Sequence, residues 1–362
     1  MNIAIILDEP WNSSLTFLGN SFLETLEKSH QVSLICQKDS YIDKYYSKDN
    51  ERKIQNRSFN NASITKYHIN NLRTKNPIVF FKNLNQIRMH LNAIKPDIVL
   101  TIRGDATFQA CLLKNHFNFK LIRIFGENRK PSLNRHCIDY VFLSTKRYEN
   151  IVKIPHSIIN GVVDIKKFTF KKEGALRIRK EFGIDNSDFV FGFIGRTSKV
   201  KGISMLCQAF AKLEFNAKLF MLVYETEIKI SEILEKIKQL NIENRVIIES
   251  KLRDDVEDII SAFDVGVVSS IDSEAIARTT LEFLACSKPC VVTNVGCLNE
   301  VVDDSCGIIC KPNVSSLQKA LTCIHDKDLS LMGTFALKKA QKYSIESLSN
   351  LINDTFSNIF KK

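Results

Sequence analysis

No stretch of the sequence approaches the ~18 consecutive apolar residues that a membrane-spanning helix needs. The opening apolar run covers only Ile3 to Leu7 and is followed at once by Asp8 and Glu9. It does not read as a secretory leader; it reads as a first buried strand. Low-complexity tracts are absent, and so is any internal repeat beyond a likeness between the two halves. The seven histidines form no group with ligand spacing, so no metal site is expected. No serine stands in a nucleophile-elbow setting with a partner histidine, which leaves Ser-His-Asp hydrolysis without support. A nucleic-acid reader would need an aromatic-basic platform or a recognition helix, and neither is apparent.

The ten cysteines are not a disulfide framework, which belongs to short secreted chains. Cys286 and Cys290, like Cys306 and Cys310, have three residues between them, a spacing that invites a zinc reading. Against it, Cys290 and Cys310 stand in apolar, strand-like runs, where free cysteine is usually a small buried hydrophobe. Reduced thiols and a cytoplasmic location are the expectation.

What the chain has is length and an uneven charge. Its 362 residues imply about two domains. Residues 1–160 hold 23 Lys and Arg against 13 Asp and Glu, whereas residues 161–362 hold 28 against 27. Nearly all of the net +11 therefore lies in the first half. Such asymmetry suits an anionic neighbour such as nucleic acid, an acidic membrane surface or a phosphorylated acceptor; the bland alternative is a solvated lysine-rich surface. Arg129-Lys130, Arg135 and Lys146-Arg147 are the cationic clusters that stand out.

Hydrophobic patterning alternates strands and helices, which implies parallel sheets with helices on both faces. In the first half, strands are expected at 2–7, 32–36, 98–102, 120–125 and 140–143, with helices at 15–28 and 78–94. Residues 37–76 read as rim loops and 155–175 as a hinge. In the second half, strands are expected at 189–194, 219–223, 246–249, 265–269, 290–293 and 307–310, with helices near 202–212, 231–240, 255–262 and 275–286. An amphipathic helix closes the chain over 344–360.

Two segments of the second half could carry chemistry. In Phe193-Ile-Gly-Arg-Thr-Ser-Lys-Val-Lys-Gly202 a buried strand ends at Gly195, and Arg196 and Lys201 flank the turn before Gly202 opens a helix. Strand ends of parallel sheets bind ligands, and helix N-termini with nearby cations favour phosphate. The second segment runs from Glu274 to Glu282. If its helix starts near Ala275, both carboxylates face one cleft, where they can accept hydrogen bonds from sugar or ribose hydroxyls. The bland readings are surface cations and ordinary helix glutamates. In the first half, Arg103 and Asp105 follow a strand end, a ligand-binding position, or could simply pair in a loop. Trp11, the only tryptophan, could stack on a sugar or cap the core.

Taken in order, these segments resemble the retaining GT-B fold glycosyltransferases of family 4. The matching stretches are Asn160-Gly-Val-Val-Asp164 with Lys167-Phe168, Gly195-Arg196 with Lys201-Gly202, Asp264 through Ser270, and Glu274 through Glu300. Ser29-His-Gln-Val32 is a fainter match. The sequence departs from the family in having only Gly19 after the first strand, and Ala275-Ile276-Ala277 then Arg278 after the first glutamate. This variant is similar to enzymes of lipopolysaccharide and other surface-glycan assembly.

The resemblance implies two Rossmann-like parallel-sheet domains facing across a cleft: an acceptor domain at 1–165, a donor domain at 166–343, and a closing helix at 344–362 that packs toward the first. It implies that Arg196 and Lys201 hold the donor diphosphate and stabilise the leaving group, so that neither metal nor cofactor is needed. Glu274 would contact the donor sugar and Glu282 the ribose. Gly195 and the segment Ala277, Arg278 and Thr279 would support the phosphates, and Arg253 would border the base. Trp11, Gly19, Arg103 and Asp105 are the acceptor-side candidates. The implied partners are a nucleotide-sugar donor, a glycan or lipid-linked acceptor and an anionic membrane surface, with no nucleic acid. The implied location is cytoplasmic, peripheral on the inner face of the cell membrane. A sugar-nucleotide epimerase of the same fold and a basic nucleic-acid-binding protein are the alternatives.

Overall fold

A computed structural model describes residues 1–11, 13–46, 64–126, 137–272 and 274–361. Arg129-Lys130 and Arg135 lie outside the described residues. The chain divides into two compact units, Met1–Ile159 with Leu348–Lys362, and Asn160–Ser347.

The first unit runs β1 (Asn2–Leu7), α1 (Ser14–Leu26), β2 (Gln31–Gln37), α2 (Tyr41–Tyr45), β3 (Thr65–Ile69), α3 (Pro77–Ile94), β4 (Ile98–Thr101), α4 (Gly104–Phe117), β5 (Lys120–Phe125), β6 (Tyr140–Leu143) and β7 (His156–Ile158). The seven strands form one parallel sheet in the order β3-β2-β1-β4-β5-β6-β7. Ile3–Leu7 is buried throughout, as a strand covered on both faces must be. Ser13 starts α1 by accepting from the Thr16 N–H, and Asn76 starts α3 by accepting from Ile78 and Val79, with Pro77 in the first turn.

Three features differ from the expectation. Residues 37–76 are not all rim loop, because β3 adds a parallel strand to β2. Its Thr-Lys-Tyr-His-Ile sequence is half exposed at the sheet edge, so it lacks the apolar run of an inner strand. Helix α4 goes unannounced, because Arg103, its N-cap residue, supplies no side-chain cap bond and the helix is only weakly amphipathic. The cysteines are not all reduced. Cys111 in α4 is joined to Cys137, with Cα atoms 5.4 Å apart, while eight others are free and all but Cys323 are buried.

The second unit runs α5 (Lys172–Glu181), β8 (Phe189–Arg196), α6 (Ile203–Ala211), β9 (Ala217–Tyr224), α7 (Ile230–Gln239), β10 (Val246–Glu249), α8 (Val256–Ser261), β11 (Val265–Val268), α9 (Arg278–Ala285), β12 (Cys290–Thr293), α10 (Leu298–Val301), β13 (Gly307–Cys310), α11 (Val314–His325) and α12 (Leu329–Gln341). The six strands are parallel, in the order β10-β9-β8-β11-β12-β13. The expected hinge is partly anchored, since the Val163 N–H donates to the Tyr343 carbonyl at 2.9 Å. Cys286, Cys290 and Cys306 are fully buried among the apolar side chains of the core.

The last helix, α13 (Ile345–Phe360), carries the chain back into the first unit. There Ile352 and Phe356 are buried, and Phe356 lies 5.9 Å from His30, ring to ring.

Candidate functional site

In each sheet the connection reverses direction beside the first strand, between β1 and β4 and between β8 and β11. Loops at the carboxyl ends of strands flanking such a point form a crevice that binds ligands. In the second unit that point gathers most of the expected donor residues.

Strand β8 ends at Gly195 and Arg196. A single 3-10 turn, Lys199–Lys201, follows, and Gly202 turns the chain into α6 with φ of 66°. A Cβ on Gly202 would lie 2.1 Å from the Ser269 carbonyl oxygen at the end of β11, so both the backbone sign and the close approach demand glycine. The two strand ends are tied further by Ser269 Oγ donating to the Lys201 carbonyl at 2.9 Å and by the Ile271 N–H donating to the Val200 carbonyl at 2.8 Å.

This anchoring aims the Lys201 ammonium at Glu274, to which it donates a charge-assisted hydrogen bond. Ser270 Oγ donates to the same carboxylate oxygen at 3.0 Å. The Glu274 backbone is fixed as well: its carbonyl accepts from Cys297 N–H at 2.9 Å, and Gly296 passes so close that a Cβ there would lie 1.9 Å from that carbonyl oxygen. Arg196 is exposed and makes no ion pair with any described residue. The arrangement therefore offers one available guanidinium, one ammonium and one positioned carboxylate at a strand-end crevice. Those are groups that can hold a diphosphate and a hydroxyl.

Glu274 and Glu282 do not share a helix. Helix α9 starts at Arg278, so Glu274 precedes it in a loop, and the Ala277 N–H is already donated to the Asn160 carbonyl at 2.9 Å. Glu282 is buried within α9 and accepts from Arg278 Nε at 2.9 Å, one turn back. Burial, and after it the Glu282 charge, push the Tyr224 phenol up. Thr279 is half-buried in the first turn of α9.

Arg253 stands apart from this group. It forks onto Glu181 and Asp255, and its guanidinium lies 5.8 Å from the Phe182 ring centre. These partners hold its proton more tightly than usual, Glu181 foremost. A depression of about 650 Å³ near the same ion pairs, lined by Phe170, Lys171, Arg177 and Asp258 among others, shares no residue with the strand-end group. Asp326-Lys327-Asp328, an acidic spacing that can hold a metal, is spent locally. Asp328 accepts from the Leu331 N–H as a helix cap, and Asp326 pairs with His325.

In the first unit the equivalent point holds Asp8 and Glu9 after β1 and Arg103 after β4. Arg103 donates to Glu9. Asp8 is buried with one carboxylate oxygen unpartnered, and burial lifts its pKa to about 6 although Arg103 opposes the shift. Asp105, half-buried in the first turn of α4, adds to the upward push. Sequence reasoning missed the two acids. The available signal was their position directly after a strand buried on both faces. Trp11 is 63% exposed, with its carbonyl accepting from Thr16 Oγ1 at 2.7 Å. Gly19 is a packing residue inside α1 rather than part of a strand-end loop: a Cβ there would lie 2.4 Å from Ile102 and 2.6 Å from Leu7.

Residues 175–343, all within the second unit, match the model of the Glycosyl transferases group 1 family. The chain is 27% identical over 227 residues to N-acetyl-alpha-D-glucosaminyl L-malate synthase of Bacillus anthracis, covering 58% of this chain and 57% of that one. It is 24% identical over 230 residues to the O-antigen biosynthesis glycosyltransferase WclY of Escherichia coli, covering 64% and 61%. The chain thus spans about three fifths of the length of these curated relatives. Among solved structures, Anabaena Alr3699/HepE in complex with UDP superposes with a TM-score of 0.82 at 16% identity, over 99% of this chain and 100% of that one. At that identity the likeness is one of fold, and the fold is that of the GT-B glycosyltransferases.

Proposed function

We propose that this protein is a metal-independent, retaining glycosyltransferase of family 4. In this reading it moves a sugar from a nucleotide-sugar donor to a glycan or lipid-linked acceptor in surface-polysaccharide or lipopolysaccharide assembly. The observation that carries the reading is the Lys201–Glu274 pair beside exposed Arg196 at the switch point of the second sheet. Arg196 and Lys201 bind the donor diphosphate, and their charge meets the negative charge that grows on it as the sugar leaves. Glu274 accepts from a hydroxyl of the donor sugar, and Glu282 from the ribose. The bond from the anomeric carbon to the phosphate oxygen breaks. The acceptor oxygen bonds to that carbon on the same face, and its proton passes to the departing diphosphate. Asp8, Glu9 and Arg103 border the acceptor side in the first unit, which faces the inner surface of the cell membrane. The bound UDP of the Anabaena neighbour and the O-antigen role of the Escherichia coli relative support a uridine donor and a surface-glycan product.

The test is a thermal-shift panel of UDP-, GDP- and ADP-sugars with the full chain, followed by NMR of the product formed with the best binder. A donor that binds only the native state raises the melting temperature. A selective rise with one donor, followed by a product of unchanged anomeric configuration, is expected. An inverted product removes the retaining mechanism, and a panel without any rise removes the donor site.

A further inference from the structure

We propose that the outward face of α3, continued onto α4, is the surface by which the first unit docks on an anionic lipid bilayer. The proposal deepens the reading of that unit as membrane-facing, and it locates the contact at residues the charge clusters of the sequence did not single out. Helix α3 turns Asn83, Ile87 and Leu91 into the core at intervals of four. The opposite face, which ought to be polar, carries Ile78, Phe81 and Met89, respectively 78%, 65% and 64% exposed. Positions 78, 81 and 89 fall on one stripe, since steps of three and of eight bring residues back to nearly the same side of a helix.

The stripe continues across the neighbouring helix. The Phe80 ring lies 5.6 Å from Phe81 and 5.9 Å from Phe108 of α4. Phe108 and Leu112, one turn apart, are themselves exposed. Large side chains so exposed and so clustered mark an interaction surface.

The charges around this patch select the occupant. Residues 64–96 contain six Lys and Arg and no Asp or Glu. Arg73, Lys75, Lys82, Arg88 and Lys95 are all exposed, and none pairs with a described acid. On α3 the apolar stripe is flanked only by cations, Asp105 in the first turn of α4 being the acid of the neighbouring helix; such a stripe is the signature of a helix lying in the interface of an anionic bilayer, with its apolar side chains among the acyl chains and its cations among the headgroups. A second copy of the same face would bring cation against cation. The helix does not cross the bilayer, since no described helix is long and apolar enough.

The experiment is co-sedimentation of the full chain with vesicles of phosphatidylcholine alone or with about one third phosphatidylglycerol, across a salt series. It requires neither donor nor acceptor, so its outcome is independent of whether the proposed transfer is correct. The parent chain is expected to bind the anionic vesicles at low salt and release as salt rises. The double variant I78S/F81S, which alters only exposed side chains, should bind at least ten-fold more weakly. K82Q and R88Q should each cost about five-fold and flatten the salt dependence. L234S, at an exposed leucine of the second unit, should bind as the parent does. Matching melting temperatures exclude misfolding as the cause. The proposal is overturned if the parent binds neutral and anionic vesicles equally, if it binds neither at low salt, or if I78S/F81S binds like the parent. It is also overturned if that variant instead abolishes a dimer seen by gel filtration or binding to single-stranded RNA.

Discussion

Lys201 and Glu274, 73 positions apart in the chain, meet as a hydrogen-bonded ion pair at the carboxyl edge of the second sheet. Neither partner is free to wander. Ser269 holds the lysine backbone, and Ser270 and Cys297 hold the glutamate. Contacts to both partners thus hold the pair in place, whereas Arg196 is exposed and makes no ion pair with any described residue.

That difference separates two substitutions. Arg196→Ala should leave the unfolding free energy within about 0.5 kcal/mol of the parent, because an exposed side chain without an ion pair contributes little to stability. It should lower turnover about 100-fold or more, the usual cost of losing one group that stabilises developing charge. Lys201→Ala should lower turnover similarly and also destabilise by about 1–3 kcal/mol, since Glu274 loses its charged partner. Steady-state kinetics beside calorimetric melting checks both; a double variant with near-normal transfer contradicts the assignment.

Glu282→Gln should weaken nucleotide binding about ten-fold. Stability should change by less than about 1 kcal/mol, because the Arg278 it pairs with is about a third exposed and solvent screens the pair. Titration calorimetry with the nucleoside diphosphate decides; an unaltered affinity removes Glu282 from the ribose site.

Gly202→Ala puts a Cβ onto the Ser269 carbonyl at a φ of 66°. It should cost about 1–3 kcal/mol and displace Lys201, so that activity falls further than Tm alone accounts for. An alanine variant with parental Tm and turnover would show that the turn relaxes without consequence.

The strand-end group of the second unit was largely legible in the sequence, because Gly195, Arg196, Lys201 and Gly202 lie within one strand-turn-helix unit. The strands of the second sheet were legible for a similar reason: Val265–Val268 and Cys290–Thr293 are short apolar runs with no helical alternative. What was not legible depends on contacts distant in sequence. Nothing local announces that the helix of Glu282 starts at Arg278 rather than near Ala275, or that Arg253 is taken by Glu181 from an earlier helix. Asp8 becomes conspicuous only once β4 is placed beside β1 and brings Arg103 to it.

Asp8 gives a pH dependence with a definite sign. Its folded pKa of about 6 exceeds the ordinary 3.8, so between these values the folded chain holds a proton that the unfolded chain has lost. Its contribution to stability is therefore present in acid, declines as pH rises through that window and is constant above it. Asp8→Asn should remove this slope and make the protein more stable than the parent at neutral pH, by up to about 3 kcal/mol. Urea midpoints at pH 4.5, 6 and 7.5 test it; parallel curves for the two proteins would refute it.

If the proposed donor site is right, transfer should persist in EDTA at undiminished rate, because Arg196 and Lys201 would then do the neutralising that a divalent ion otherwise does. Loss of activity in chelator, restored by manganese or magnesium, would assign that work to a metal.

The return of the last helix to the first unit has a consequence for how the protein is made. Ribosomal synthesis delivers domains from the N-terminus onward, and each ordinarily folds as its chain emerges. Here the sheet of β1–β7 emerges first, yet Ile352 and Phe356 arrive only after all of Asn160–Ser347 has been translated. The unit whose chain appears first is the last to be completed. Until the final helix is released, the surface that receives Phe356 beside His30 stands open to the cell.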